Sequence, residues 1–227
     1  MSTDRPRGPA PSPMDPPVVL EVFADLWCPF THVGLRLVVA ERARAGRTDV
    51  LLRVRPWPLE LVNGAPMRFA ATEEHARDLV DQVAPDLFAG LSAETFPGST
   101  LEALAMVEAA YRVDPWLGES VSLSLRDALF EEGRDLGDPG VLAELADQLG
   151  APLPQEQDRA AVGASLEEGR GRGVLGSPHF FCGDRDAFCP SLDISRSADG
   201  VLHVERRTEG LRGFLDACWG IAPGAGS

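Results

Sequence analysis

Cys28 is the residue in this chain placed to do chemistry. It follows a seven-residue apolar run, Val18 to Ala24, and precedes Pro29 and a stretch with helical spacing. It therefore falls between a strand and the first turn of a helix. The free N–H groups and the positive end of the helix dipole favour a thiolate there, which predicts a lowered thiol pKa. A thiolate attacks disulfides and electrophiles. The competing reading is a small buried hydrophobe that happens to precede a proline. Position decides against it, because open α/β sheets bind their ligands at the C-terminal ends of their strands. His32 lies four residues on, on the same side of the helix. An imidazolium there would favour the thiolate, although the helix N-terminus itself disfavours a cation.

The other cysteines, Cys182, Cys189 and Cys218, carry weaker signals. Cys182 lies four residues beyond Pro178, about 13 Å along a strand, too far to resolve a Cys28 disulfide. A Cys182–Cys189 bridge across the following loop is geometrically conceivable, but a reducing compartment disfavours it. His179, Cys182, Cys189 and His203 match no common zinc spacing, so no metal is expected. Cys218 reads as core. Asp184 and Asp186 read as solvated turn residues, and Gly169 to Gly173 as a flexible approach to Pro178.

Composition narrows the classes. The 227 residues fit one large domain or one domain with an insertion, and 44% hydrophobic residues supply a core. No run approaches the roughly 20 apolar residues of a membrane helix. With 21 basic against 35 acidic residues the net charge is −14, which repels phosphate backbones and argues against nucleic-acid binding. Every basic residue is Arg, which removes Schiff-base and P-loop lysine mechanisms. Four cysteines do not make a disulfide scaffold at this size. The proline-rich residues 1–17 lack an apolar signal segment and read as a disordered leader, which predicts a cytoplasmic address.

The elements that would position Cys28 are legible. A strand at Val18–Ala24, a helix from Phe30 to about Ala45 and a strand at Val50–Val54 make a βαβ unit. Amphipathic segments then recur at about 73–84, 99–112, 118–132, 139–149 and 155–170. Asp138-Pro139 is a helix start and Gly150 a stop. β character returns at His179–Cys182, Leu192–Ser195 and Val201–Val204, the last two flanking an Asp199-Gly200 hairpin signal. A helix from Glu209 to Trp219 closes the chain. The predicted architecture is α/β, a thioredoxin-like βαβ…ββα fold. Its domain would comprise 18–71 and 173–220, with a helical insert at 72–172 and a tail at 221–227.

At this point the sequence resembles a known family. Asp25-Leu26-Trp27-Cys28-Pro29-Phe30-Thr31-His32-Val33-Gly34 is similar to the active-site segment of DsbA-family thioredoxin-fold oxidoreductases, most of all the FrnE-like branch. Arg55-Pro56-Trp57-Pro58-Leu59 resembles the phrase after that branch's second strand. Phe130 to Leu136 and Asp138-Pro139 resemble part of its helical insert. Gly173 to Phe180 resembles its cis-proline loop. The resemblance implies a catalytic Cys28, a site motif of Pro29, Phe30, Thr31 and His32, and a cis Pro178 facing it. It also implies a Ser177 backbone free to pair with a bound chain or thiol, and makes His32 the occupant of an aromatic position.

One departure shapes the chemistry. Thr31 stands where the family carries its second cysteine, so intramolecular resolution by that residue is unavailable. The site is monothiol. The resemblance then implies an enzyme, a thiol oxidoreductase acting on a small thiol or a protein thiol or disulfide, with no tightly bound cofactor and a low-molecular-weight thiol as co-substrate. Family members also often pair as homodimers. Two alternatives stand beside this reading. Kappa-class glutathione transferases and 2-hydroxychromene-2-carboxylate isomerases are similar in fold and bind a thiol at this helix start. A non-catalytic thioredoxin-like binding module would equally explain the loss of the second cysteine.

Overall fold

The structure is a computed structural model that describes residues 17–220. The expected leader, save Pro17, and the expected tail lie outside them. Strand β1 (Val18–Ala24) is built from Val, Leu and Phe, and its alternation sends Leu20, Val22 and Ala24 to one face and Phe23 to the other. Helix α1 (Pro29–Arg44) carries the chain back to β2 (Val50–Pro56), which pairs parallel to β1 from Val18↔Val50 to Ala24↔Pro56. The second strand outruns its expected end at Val54 because Arg55 and Pro56 still pair with Phe23 and Ala24.

Helices α2 (Leu59–Asn63), α3 (Phe69–Gln82), α4 (Leu101–Val113), α5 (Pro115–Phe130), α6 (Pro139–Leu149) and α7 (Glu156–Gly171) follow. Helices α5 and α6 both open on Asp-Pro. Asp114 and Asp138 accept hydrogen bonds from the first-turn N–H groups, and the proline at N1 has no N–H to leave unpaired. The glycine run expected to be flexible is helical as far as Gly171. A Cβ on Gly169 would lie 2.6 Å from the Trp57 ring, so that glycine lets α7 close onto the sheet.

Strands β3 (His179–Cys182) and β4 (Arg185–Phe188) complete the sheet as an antiparallel hairpin, in the order β2-β1-β3-β4. The hairpin overturns the reading of Asp184 and Asp186 as turn residues alike. Gly183, at φ 61°, makes the tight turn, and Asp186 is a strand residue opposite Phe181. Strands β5 (Leu192–Arg196) and β6 (Leu202–Arg206) pair as the Asp-Gly signal predicts, but they form a separate ribbon. That ribbon leans on the end of α3. Gln82 donates to the Leu202 carbonyl (3.0 Å) and accepts from the Val204 N–H (2.8 Å). Helix α8 (Thr208–Cys218) ends the described chain.

The sheet is covered on both faces. Leu35 and Val38 of α1 and Leu211 and Leu215 of α8 pack on Leu20, Val22, Val54 and Phe180. Leu166 of α7 packs with Trp57 on Phe23 and Phe181. Each such buried side chain contributes about 1.5–3 kcal/mol. A third core, built on Leu79, Leu104, Met106, Leu125 and Phe130, fills the helical block, and Leu26 and Trp27 are fully buried in it. The loop that carries Cys28 is therefore rooted in the helical block, while the helix it starts packs on the sheet.

Candidate active site

Cys28 is the N-cap of α1, with Pro29 at its first position. Its backbone is extended (φ −77°, ψ 110°), and its carbonyl accepts the first helical hydrogen bond, from His32 N–H at 3.1 Å. Across from it runs the loop before β3, where the Ser177–Pro178 peptide is cis. The Cys28 Sγ donates to the Ser177 carbonyl at 3.1 Å. The Ser177 hydroxyl is paired with Thr31 Oγ1 at 2.7 Å and accepts from the Asp25 N–H at 2.9 Å. Both oxygens of Ser177 are thus engaged within the protein, and the carbonyl expected to pair with a bound chain or thiol accepts from the protein's own Cys28 thiol.

The thiol is not activated as expected. Cys28 is only 5% exposed, and burial pushes its thiol above the ordinary cysteine range. The hydroxyl and N–H of Thr31 and the side chain of Ser177 pull it part of the way back, while the Asp25 carboxylate adds to the rise. Helix-end amides do reach the sulfur, but desolvation outweighs them. In the resting protein Cys28 is a neutral hydrogen-bond donor.

His32 serves another contact. Its buried ring packs between Phe88 and Phe130, and Nε2 lies 2.6 Å from Glu131 Oε1. Burial holds its pKa below the ordinary histidine value, with the Glu131 bond opposing. The imidazole ties α1 to the end of α5, and it does not figure among the groups that set the Cys28 thiol. Phe30 is half-buried, its ring 5.1 Å from that of His75.

Two site residues were missed from the sequence. Asp25, fully buried three residues before Cys28, accepts from the N–H of Trp27 at 2.8 Å and from that of Leu59. Burial raises its pKa to about 6, against those two bonds and the charge of Arg126. Arg126 reaches in from α5 and is 1% exposed. It donates to the Ser122 carbonyl and hydroxyl (both 2.7 Å) and to the Asp25 carbonyl (3.2 Å). Burial lowers its pKa to about 10, with Asp25 and Cys28 among the groups opposing that fall. A carboxylate directly after a buried strand was the available signal for Asp25. Nothing local marks Arg126, a hundred residues away.

The remaining candidates scatter. His179 Nδ1 accepts from Leu175 N–H (3.1 Å) and Nε2 pairs with Asp186 (3.0 Å), which fixes a neutral tautomer with the proton on Nε2. Among the described residues no group of three or more His, Cys, Asp or Glu is placed to hold a metal ion. Cys189, buried and at φ 45°, donates its N–H to the Pro178 carbonyl (3.0 Å). The β3–β4 register puts it at the opposite end of the hairpin from Cys182, about 13 Å away, so a Cys182–Cys189 bridge is out of reach. A cleft lined by His32, Arg36, Val39, Arg126 and Asp127 opens beside α1, and Cys28 does not line it. Among the described residues no helix is long and apolar enough to cross a membrane.

A four-stranded mixed sheet between helices, interrupted by a helical block and carrying a cysteine at the start of α1, defines a thioredoxin-like α/β protein. The chain belongs to the DSBA-like thioredoxin domain family, whose model matches residues 19–200. Solved structures agree in fold. The chain is similar to a cytosolic disulfide reductase, DsbM, from Pseudomonas aeruginosa with GSH, at 18% identity and a TM-score of 0.61, covering 88% of this chain and 98% of that one. It is similar to a 2-hydroxychromene-2-carboxylate isomerase at 14% identity and a TM-score of 0.56, covering 75% and 88%. It is also similar to Proteus mirabilis ScsC in a compact conformation, at 13% identity and a TM-score of 0.51, covering 89% and 83%. No curated protein matches the chain.

Proposed function

We propose that this chain is a cytoplasmic thiol/disulfide oxidoreductase that works through Cys28 as a single thiol, in the reducing direction. The observation that carries the proposal is the Cys28 Sγ donating to the Ser177 carbonyl while Thr31, with no thiol to offer, sits in the first turn beside it. Cys28, losing its proton, attacks one sulfur of a substrate disulfide, forms a mixed disulfide and expels the other half as thiolate. A low-molecular-weight thiol then attacks the substrate sulfur of that mixed disulfide, restores Cys28 and carries that sulfur off in a new mixed disulfide. A second small thiol attacks its own kind in that disulfide and releases the substrate's remaining half as thiolate. The substrate disulfide becomes two thiols, and the two small thiols that supply the electrons leave as their symmetrical disulfide. The reducing direction is set by the small thiol that resolves the mixed disulfide, and the neutral Cys28 S–H held by the Ser177 carbonyl is the resting form to which that cycle returns. Asp25, with its carboxyl raised to about 6, carries a negative charge at neutral pH that opposes the Cys28 thiolate.

The test is intact-protein mass spectrometry after exposure to oxidised glutathione. One glutathione adduct on Cys28, absent in Cys28→Ser and removed by reduced glutathione, is the expected result. A Cys28 that stays unmodified while the fold is intact would overturn the proposal. The neutral Cys28 S–H also favours a second reading, in which it donates to a bound thiol cofactor without attacking, as a glutathione-dependent transferase or isomerase requires. Saturable conjugation of an aromatic electrophile that survives Cys28→Ser would put that reading first.

A further inference from the structure

A second pair of thiols lies on the other side of the molecule's chemistry, between β3 and α8. Phe180 and Cys182, two apart on β3, point to the same face of the sheet, about 7 Å apart along the strand. Phe214 and Cys218, four apart on α8, share one side of the helix, about 6 Å apart along its axis. The rings of Phe180 and Phe214 meet at 6.4 Å between centroids. Equal steps from that contact bring the two cysteines together, and both pack against the same core as Leu211 and Leu215. The two side chains are neighbours in that layer, and burial, with Cys182 at its side, pushes the Cys218 thiol up. Both are free thiols and both are half-buried, within reach of a small reagent. The earlier reading of Cys218 as core alone does not account for a thiol partner at its side.

We propose that Cys182 and Cys218 form a second redox pair that closes to an intramolecular disulfide, pinning the C-terminal helix to the third strand. The oxidant is a low-molecular-weight disulfide, RSSR. The Cys182 sulfur, having lost its proton, attacks one sulfur of RSSR and expels RS⁻. The Cys218 sulfur then attacks the Cys182 sulfur of the mixed disulfide, loses its proton and expels the second RS⁻. Two protein thiols become one disulfide, and RSSR becomes two RSH as the released thiolates take up the two protons. This pair is independent of turnover at Cys28.

The experiment uses the full chain, in wild-type and Cys28→Ser forms, incubated with oxidised glutathione, quenched with acid, alkylated and cleaved after arginine. Residues 173–185 and 213–227 are released as separate peptides with one cysteine each. The expected product in both forms is those two peptides joined, at least tenfold over either one carrying glutathione. A melting temperature about 5–10 °C higher in the oxidised Cys28→Ser protein is also expected. Cys218→Ala, a small-to-small change at a half-buried position, abolishes that rise. Recovery of Cys182 and Cys218 as free thiols or as separate glutathione adducts would overturn the proposal, whatever Cys28 does.

Discussion

The two thiol neighbourhoods of this protein differ in what touches the sulfur. Cys28 has polar neighbours: Ser177 on the opposite loop, whose carbonyl accepts from the sulfur, Thr31 on its own helix and Asp25 before it. Arg126 from the helical block braces the Asp25 carbonyl behind them. Cys182 and Cys218 sit in an apolar layer and have mainly each other. One site holds a lone thiol ready for a visiting sulfur; the other supplies its own partner. The same functional group is thus committed to intermolecular exchange in one place and to self-closure in the other, by its neighbours alone.

The comparison breaks most visibly at Arg126. Arg126→Met leaves the Ser122 and Asp25 carbonyls without their buried guanidinium donor and removes a positive charge near Asp25, and costs about 1–3 kcal/mol in urea unfolding. A loss under about 1 kcal/mol would show that these bonds do not brace the site. Asp25 comes next. Its pKa is raised from 3.8 to about 6, so between those values the folded state binds more protons than the unfolded chain. Stability from this group is full below about pH 4 and falls as pH rises through about 6, by about 3 kcal/mol. His32, held below its ordinary value, tilts stability the opposite way. The difference between wild type and Asp25→Asn, measured from pH 4 to pH 7, isolates the Asp25 slope, and equal slopes would refute it. The same variant, freed of a neighbouring negative charge, should also bring the Cys28 titration down, read by iodoacetamide alkylation against pH. The smallest expected effect is at Thr31. Thr31→Val removes the hydroxyl bonded to Ser177, costs about 1 kcal/mol and pushes the Cys28 titration further up. Cys182 and Cys218 should alkylate as before.

The βαβ start, the Asp-Pro helix openings and the Asp199-Gly200 hairpin were legible because each rests on local signals: apolar period, capping side chains, a turn dipeptide. Strand β4 was passed over because Arg185 to Phe188 is exposed at three of four positions and charged at two, although Gly183-Asp184 is a hairpin signal in its own right. At the site, the sequence placed Cys28 at a helix start and Thr31 beside it. It could not show that Leu26 and Trp27 draw that loop into the helical core, and this burial reverses the thiol's expected pKa shift. Arg126, Glu131 and the Cys182–Cys218 contact are tertiary facts between distant segments, with no local pattern to betray them.

The amide of Gln82 gives the β5–β6 ribbon a substitute neighbour where a further strand would otherwise sit. Its two hydrogen bonds satisfy an edge that would invite another chain, and they tie the ribbon's fate to α3 rather than to the sheet. In amide exchange the Val204 N–H should therefore open together with the last turn of α3, as one cooperative unit that dissolves before the β1–β2 pair does.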